Sequence, residues 1–241
     1  MDQTLESKLK GLMSVFLEEN SKINLSAYRT EEACWIGNIL DSLAFLELSF
    51  VSPPFPRLPS EAWAKEGTGE GLGVRALDLG TGGGFPLLPL AIALPEYQFT
   101  GIDATQKKIA AVNRIIERQN ITNARALPGR AEDLGRDPLH REKYDIVLSR
   151  GLAKLSTLLE YCAPFAKTGG KIVLWKSLNI LEELAESAPA EKELRCRLLL
   201  QHRYALPGDF GERQLLVFEK GAPIPKKYPR GVGIPSKNPL L

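Results

Sequence analysis

One run of the chain constrains its fold more than any other: Val74-Arg75-Ala76-Leu77-Asp78-Leu79-Gly80-Thr81-Gly82-Gly83-Gly84-Phe85-Pro86. A short apolar strand ends in an acid, passes through a glycine-dense turn and opens a helix near Phe85. Glycines lack a Cβ, so the backbone there can turn tightly and lie close against a ligand. Glycine-rich turns are common, and the context is what gives this one meaning. Gln98-Phe99-Thr100-Gly101-Ile102-Asp103 has the pattern of a second strand ending in a carboxylate, and Asp103 lies 23 residues beyond Gly80. An acid at the tip of the second strand can accept hydrogen bonds from both ribose hydroxyls of a nucleoside. The two signals together imply an α/β sheet with a nucleoside-cofactor site at its rim.

The spacing of the glycines then separates two kinds of nucleoside cofactor. A dinucleotide fingerprint spaces them as GxGxxG, which leaves room for a pyrophosphate at a helix N-terminus. Here Gly80, Gly82 and Gly84 follow GxGxG, and the sixth position is Phe85, too large for that close helix packing. Asp78 would sit badly beside a pyrophosphate. S-adenosylmethionine has no phosphate and carries an ammonium and a sulfonium, which a nearby carboxylate suits. The plainer role for Asp78 is a strand-end cap. A nicotinamide oxidoreductase is disfavoured on this spacing.

A chain of 241 residues with 44% hydrophobic and 25% charged residues can bury a substantial core as one large domain with appendages. Leu5, Leu9, Leu12, Met13, Phe16 and Leu17 recur at helical spacing and predict a first helix ending near Asn20. A second helical stretch is predicted over 31–48. Residues 1–50 therefore form an N-terminal helical extension, and the proline- and glycine-rich stretch 51–73 a linker. From Val74 onward strands and helices alternate, with strands at 74–79, 98–103, 124–128, 144–149, 170–176, 195–204 and 213–219. Helices are predicted at 85–94, 105–120, 153–166 and 178–188. Alternation of this kind implies a mainly parallel, doubly wound sheet. Only Leu206-Pro207-Gly208-Asp209-Phe210-Gly211 separates the last two strands, which predicts an antiparallel hairpin at a sheet edge. The expected fold is α/β: a class I methyltransferase, Rossmann-like seven-stranded sheet over residues 74–220, followed by a basic tail at 221–241.

The three cysteines, Cys34, Cys162 and Cys196, are widely spaced, and the two histidines, His140 and His202, lie far apart. Neither a disulfide framework, a metal site nor a histidine triad is indicated, and a reducing cytoplasm fits. No apolar run approaches membrane-spanning length. The formal net charge of +2 announces no nucleic-acid partner, but Lys220, Lys226, Lys227, Arg230 and Lys237 are concentrated near the C-terminus without an acid from Lys220 onward.

Several further stretches resemble one family. Asp78-Leu79-Gly80-Thr81-Gly82-Gly83-Gly84-Phe85-Pro86, Gly129-Arg130-Ala131-Glu132, Ser149-Arg150-Gly151-Leu152-Ala153 and Tyr228-Pro229-Arg230 resemble the RsmG (GidB) family, methyltransferases that act on N7 of a guanine in small-subunit (16S) ribosomal RNA. Ile23-Asn24-Leu25-Ser26 and Asn38-Ile39-Leu40-Asp41-Ser42-Leu43 resemble its N-terminal motifs, although Asn38 stands where the family more often has histidine. The resemblance implies S-adenosyl-L-methionine contacts at Gly80 and Phe85, at Asp103 with Ala104 and Thr105, at Ala131 with Glu132, and at Arg150. Asp78 and Gly82 join these from the turn itself. Arg150, Arg130 and Lys176 end predicted strands on the same rim and resemble the family's basic positions, so contact with cofactor or RNA phosphate is expected of them; the basic tail would add more. Lys176 is equally open to a snorkelling role.

Guanine N7 carries a lone pair and no proton, so its methylation needs alignment rather than a base. Consistent with that, strand four is followed by Ser149-Arg150-Gly151-Leu152, not by the Asn/Asp-Pro-Pro-Tyr loop of amino-group methyltransferases. Ser52-Pro53-Pro54-Phe55 resembles that loop in permuted enzymes, but the fourth strand position is already filled by Asp145-Ile146-Val147-Leu148. The expected partners are 16S ribosomal RNA or the small ribosomal subunit, with no membrane, and a cytoplasmic monomer is expected. The alternative from another class is a non-catalytic RNA-binding or ribosome-assembly protein with a cofactor-like pocket.

Overall fold

Seven strands form one sheet in the order β3-β2-β1-β4-β5-β7-β6 in the computed structural model, which describes residues 2–51 and 73–241. The strands are β1 (Arg75–Leu79), β2 (Gln98–Asp103), β3 (Ala124–Pro128), β4 (Tyr144–Arg150), β5 (Ala166–Lys176), β6 (Cys196–Ala205) and β7 (Glu212–Lys220). β1 to β5 are parallel, and β7 runs antiparallel between β5 and β6. The predicted terminal hairpin is therefore present, with β7 inserted inward and β6 at the edge. The expected linker 51–73, with Ser52-Pro53-Pro54-Phe55, lies outside the described residues except for its end residues Val51 and Gly73.

Helices cover both faces of the sheet, as parallel strands buried on both sides require. One apolar layer joins α4 (Leu87–Ala93) and α5 (Gln106–Arg118) to the N-terminal residues Leu9, Leu12, Phe16, Leu25, Phe45 and Leu48 in a single core. α1 (Gln3–Lys22) is thus part of the sheet's own packing, and Glu19, almost wholly buried, binds Arg114 of α5 at 2.6 and 3.0 Å. The opposite layer joins α7 (Leu155–Cys162), α9 (Ala188–Leu194) and Ile224 and Tyr228 of the C-terminal segment.

Three local departures from the sequence pattern have physical causes. The stretch predicted as one helix over 31–48 is α2 (Glu31–Cys34), a π-helical turn at Trp35–Leu40, α3 (Asp41–Leu43) and a 3₁₀ turn at Ala44–Glu47. Widened turns of this kind are rare overall and frequent at functional sites. Gly37 lies inside it, and a Cβ there would come 2.4 Å from the Tyr28 ring. The helix predicted at 178–188 is split into α8 (Leu181–Glu186) and α9, because Pro189 in the first turn of α9 cannot continue the preceding ladder. β5 starts at Ala166 rather than 170, with an irregularity in its pairing to β4 between Tyr144 and Ile146.

Candidate cofactor and substrate site

The carboxyl ends of β1 to β5 bring the candidate residues to one rim, where open α/β sheets bind ligands. After β1 the backbone adopts positive φ at Gly80 (76°) and Gly82 (54°), a conformation that costs a residue with a Cβ. The turn is held down on β2, because the Gly80 and Thr81 amides both donate to the Ile102 carbonyl, at 2.8 and 3.0 Å. Asp103 ends β2 beside it. Its Oδ2 accepts from the Gly82 amide at 3.0 Å and its Oδ1 from the Thr105 amide at 2.8 Å. Two fixed amides therefore orient a carboxylate that keeps lone pairs for a ligand, next to the exposed Ala104 and Thr105.

Asp78 is placed differently. It is buried behind the turn, and Oδ2 accepts from the Leu87 amide at the head of α4 at 3.2 Å, which is the capping role. Oδ1 has no hydrogen-bond partner among the described residues, and burial pushes the carboxyl up to about 6. Phe85 is also turned inward: its ring meets Phe16 of α1 edge-on at 4.7 Å. Leu25 lies against the turn, since a Cβ on Gly83 would stand 3.1 Å from Leu25 Cβ and 3.2 Å from its carbonyl oxygen. The N-terminal segment thus roofs the glycine turn. Leu152, in the loop after β4, lies over Gly80, 2.9 Å from where a Cβ would project, and is itself exposed.

Arg150 ends β4 but its charge is directed into the protein. Nη1 donates to the Gly37 carbonyl at 3.0 Å and to Asp41 Oδ2 at 2.8 Å, and Nη2 donates to Asn38 Oδ1 at 2.8 Å. Asp41 Oδ1 accepts from Tyr204 Oη at 2.5 Å, and its backbone carbonyl accepts from Trp175 Nε1 at 2.8 Å. Burial and the adjacent Asp41 carboxylate hold the Tyr204 phenol well above its ordinary value. The Asn38 amide, fully buried, passes the network on by donating to Ser26 Oγ at 3.2 Å. Lys176 donates to the Ala153 carbonyl at 3.1 Å and to Glu183 at 2.6 Å, and Glu183 also takes the Leu155 amide. Arg150 and Lys176, expected to contact cofactor or RNA phosphate, are each paired with an acid of the protein: Arg150 with Asp41, far away in sequence, and Lys176 with Glu183, on the helix that follows β5. Of the three cations expected there, Arg130 alone has an exposed side chain, with no ion pair among the described residues.

Ala131 starts α6 (Ala131–Leu134), while the Glu132 carboxylate turns away to accept from the Gly233 amide at 2.9 Å. The basic tail is partly tied into the protein and partly exposed. Lys220 is fully buried and binds Glu142, Lys227 pairs with Glu193, and Arg230 makes a multiply bonded pair with the buried Glu160. Lys226 and Lys237 remain exposed and unpaired among the described residues. Asp41 and Tyr204 are site-supporting residues that the sequence reading did not assign. A carboxylate inside the mostly apolar run Ile39-Leu40-Asp41-Ser42-Leu43 was the available signal for the first, and none existed for the second.

The residues at the rim fit S-adenosylmethionine on its adenosine side. The amide-held Asp103 suits a ribose diol, the positive-φ turn leaves backbone accessible, and a Cβ on Gly82 would meet nothing closer than 3.8 Å. No group of three or more potential metal ligands occurs among the described residues, and none of the described helices is long and apolar enough to cross a membrane.

Residues 5–198 match the family model described as GidB, rRNA small subunit methyltransferase G. The chain belongs to this family. Relatives named ribosomal RNA small subunit methyltransferase G include one from Carboxydothermus hydrogenoformans, 35% identical over 226 residues that cover 94% of this chain and 88% of the relative. Another, from Alkaliphilus metalliredigens, is 32% identical, with coverage of 100% and 92%. Among solved structures, a mutant 16S rRNA (adenine(1408)-N(1))-methyltransferase from Catenulisporales acidiphilia superposes with a TM-score of 0.51 at 15% identity, covering 63% of this chain and 87% of that one. MtNAS in complex with MTA and tNA gives 0.51 at 16% identity, covering 86% and 70%. These distant neighbours carry the class I methyltransferase fold; membership of the GidB family rests on the sequence match.

Proposed function

We propose that this chain is an S-adenosylmethionine-dependent methyltransferase that methylates N7 of a guanine in 16S ribosomal RNA, working as a cytoplasmic monomer on the RNA or on the small ribosomal subunit. The observation that carries the reading is the pairing of the positive-φ turn with Asp103, whose carboxylate is fixed by the Gly82 and Thr105 amides; membership of the GidB family supports it. S-adenosylmethionine, when bound, supplies an electrophilic methyl group on its sulfonium. Asp103 would accept from the ribose hydroxyls, the backbone at Gly80 and Gly82 would face the amino-acid portion, and Ala104, Thr105 and Ala131 would flank the base.

The acceptor nitrogen has a lone pair and bears no proton, so the chain needs no general base at this step. Its task is to hold the acceptor in line and keep water out, which converts a bimolecular encounter into a nearly unimolecular step. The roof of Leu25, Phe16 and Phe85 and the Arg150–Asp41–Tyr204 network supply that rigidity. The target guanine must leave its stack to reach such a rim.

Mass spectrometry of nucleosides from small-subunit RNA tests the reading in cells lacking the gene. Loss of one 7-methylguanosine, restored by the purified protein with S-adenosylmethionine, is the expected result; an undiminished level overturns it. Calorimetry with S-adenosylmethionine and NAD separates the other readings, because an assembly protein would bind neither and an oxidoreductase would prefer NAD.

A further inference from the structure

The cations expected to meet RNA are mostly neutralised within the protein, which raises the question of which surface takes the phosphate. A groove of about 410 Å³ beside the glycine turn is lined by Asn24, Leu25, Ser26, Ala27, Arg29 and Lys108. No carboxylate of the described residues lines it. Asn24 Oδ1 is occupied by the Arg29 guanidinium at 3.1 Å, so the Asn24 side chain has its N–H groups to offer. Ser26 Oγ already accepts from the Tyr28 amide and from Asn38, both at 3.2 Å, which leaves its hydroxyl proton to donate. Arg29 and Lys108 add two charges with no ion pair among the described residues. Glu31 and Glu32, which follow Arg29 on α2, make none with it.

A lining of donors and cations is an anion site. It would repel the sulfonium and ammonium of S-adenosylmethionine, whose single carboxylate shares its carbon with that ammonium, and it suits a phosphodiester. The groove also touches both halves of the rim: Leu25 packs on Gly83, and Lys108 stands on the first turn of α5, whose preceding Thr105 amide holds Asp103.

We infer that the groove formed by Asn24–Arg29 and Lys108 is the seat for an RNA phosphodiester flanking the target nucleotide, with Arg29 and Lys108 its two charge contacts. This rests on the RNA-methylating reading above and names the part of the surface that the substrate backbone occupies. The rim thereby sorts its ligands by charge, with the carboxylate of Asp103 on the nucleoside side and cations on the RNA side.

The test uses the full chain and unmethylated small-subunit RNA from cells lacking the gene. The variant is Arg29→Ala/Lys108→Ala, and the control is Lys143→Ala/Lys192→Ala, which neutralises two exposed lysines, Lys143 immediately before β4 and Lys192 in α9, away from the groove. The groove variant is expected to raise KM for RNA roughly tenfold and to flatten the plot of log affinity against log salt by about 1.5. Its melting temperature and its calorimetric affinity for S-adenosylmethionine should match wild type, and the control should alter neither RNA measurement. Unchanged RNA affinity and salt slope in the groove variant overturn the assignment while leaving RNA methylation intact. Competition by inorganic phosphate or guanosine monophosphate at concentrations far below those of ordinary ionic screening, lost in the variant, would assign the groove to a free phosphoryl ligand and also overturn it. Wild-type protein that binds the RNA but transfers no methyl group would refute the methyltransferase reading, and the binding comparison would still decide the groove.

Discussion

At Asp78, burial and geometry act on the same carboxylate. One oxygen caps α4 through the Leu87 amide, the other has no partner among the described residues, and burial pushes the group up to about 6 from its ordinary 3.8. The folded state therefore binds more protons than the unfolded chain between those values. This group's contribution to stability is full below about pH 4, falls as pH rises to about 6, and is level above that. Asp78→Asn keeps an oxygen for the Leu87 amide and removes the titration. The melting temperature of the Asn variant minus that of wild type should grow from pH 4 to pH 6 and then plateau, while acids such as Glu219, held low by Lys171 and Arg197, cancel in the difference. A difference that stays flat from pH 4 to pH 8 would refute the buried-charge account. Asn38 illustrates a second residue-scale point. Its amide accepts from Arg150 and donates to Ser26, so one uncharged group bridges both partners at the position where the family more often carries histidine.

The π-helical turn at Trp35–Leu40 is the element on which the site's roof depends, because Gly37, Asn38 and Asp41 in and beside it jointly bind Arg150. Arg150→Ala would leave the largely buried Asp41 with Tyr204 as its side-chain partner, and loss of one member of a buried pair costs about 3–5 kcal/mol. The variant should melt at lower temperature and expose the bonds after Lys22 and Arg29 to limited trypsin digestion, whereas Arg150→Lys should be intermediate because it keeps charge but loses the forked geometry. Protection equal to wild type in the Ala variant would show that the turn is held by apolar packing alone. The same element marks where the sequence stopped being informative. Strands β1 to β4, the glycine turn and the final hairpin were legible because their signals are local: alternation, glycine spacing and a short connection. The π turn was not, since its cause is an arginine more than 100 residues away and a tyrosine ring pressed on Gly37. For the same reason Arg150, Lys176 and Arg230 read as free cations. Each does lie where sequence placed it or close by, but Asp41 and Glu160, which neutralise Arg150 and Arg230, are brought in by tertiary packing, and Glu183 reaches Lys176 from the helix just after β5.

For the molecule as a whole, the C-terminal segment acts as a strap across the face opposite the N-terminal layer. Arg136 and Arg141 donate to the carbonyls of Pro229 and Tyr228, Thr157 donates to that of Pro235, and Glu132 accepts from Gly233. The strap therefore reaches the helix that begins with Ala131, on the side proposed to flank the cofactor's base. Its strongest tie is Arg230 on Glu160, in which the carboxylate is fully buried and the guanidinium a quarter exposed. That difference in burial predicts an asymmetry. Arg230→Ala leaves an uncompensated charge in the core and should cost about 3–5 kcal/mol, a fall in melting temperature on the order of 10 °C for a chain of this size. Glu160→Gln keeps shape and an acceptor, and the freed guanidinium can turn to water, so its loss should be clearly smaller. Hydrogen exchange should accelerate across residues 222–240 in the Arg230 variant, and the calorimetric affinity for S-adenosylmethionine should weaken through Glu132 and Ala131, while the salt slope for RNA stays at its wild-type value because the groove at Arg29 and Lys108 lies against the opposite layer. If the slope changed and cofactor affinity did not, the strap would belong to the RNA-binding surface instead of bracing the cofactor side of the rim.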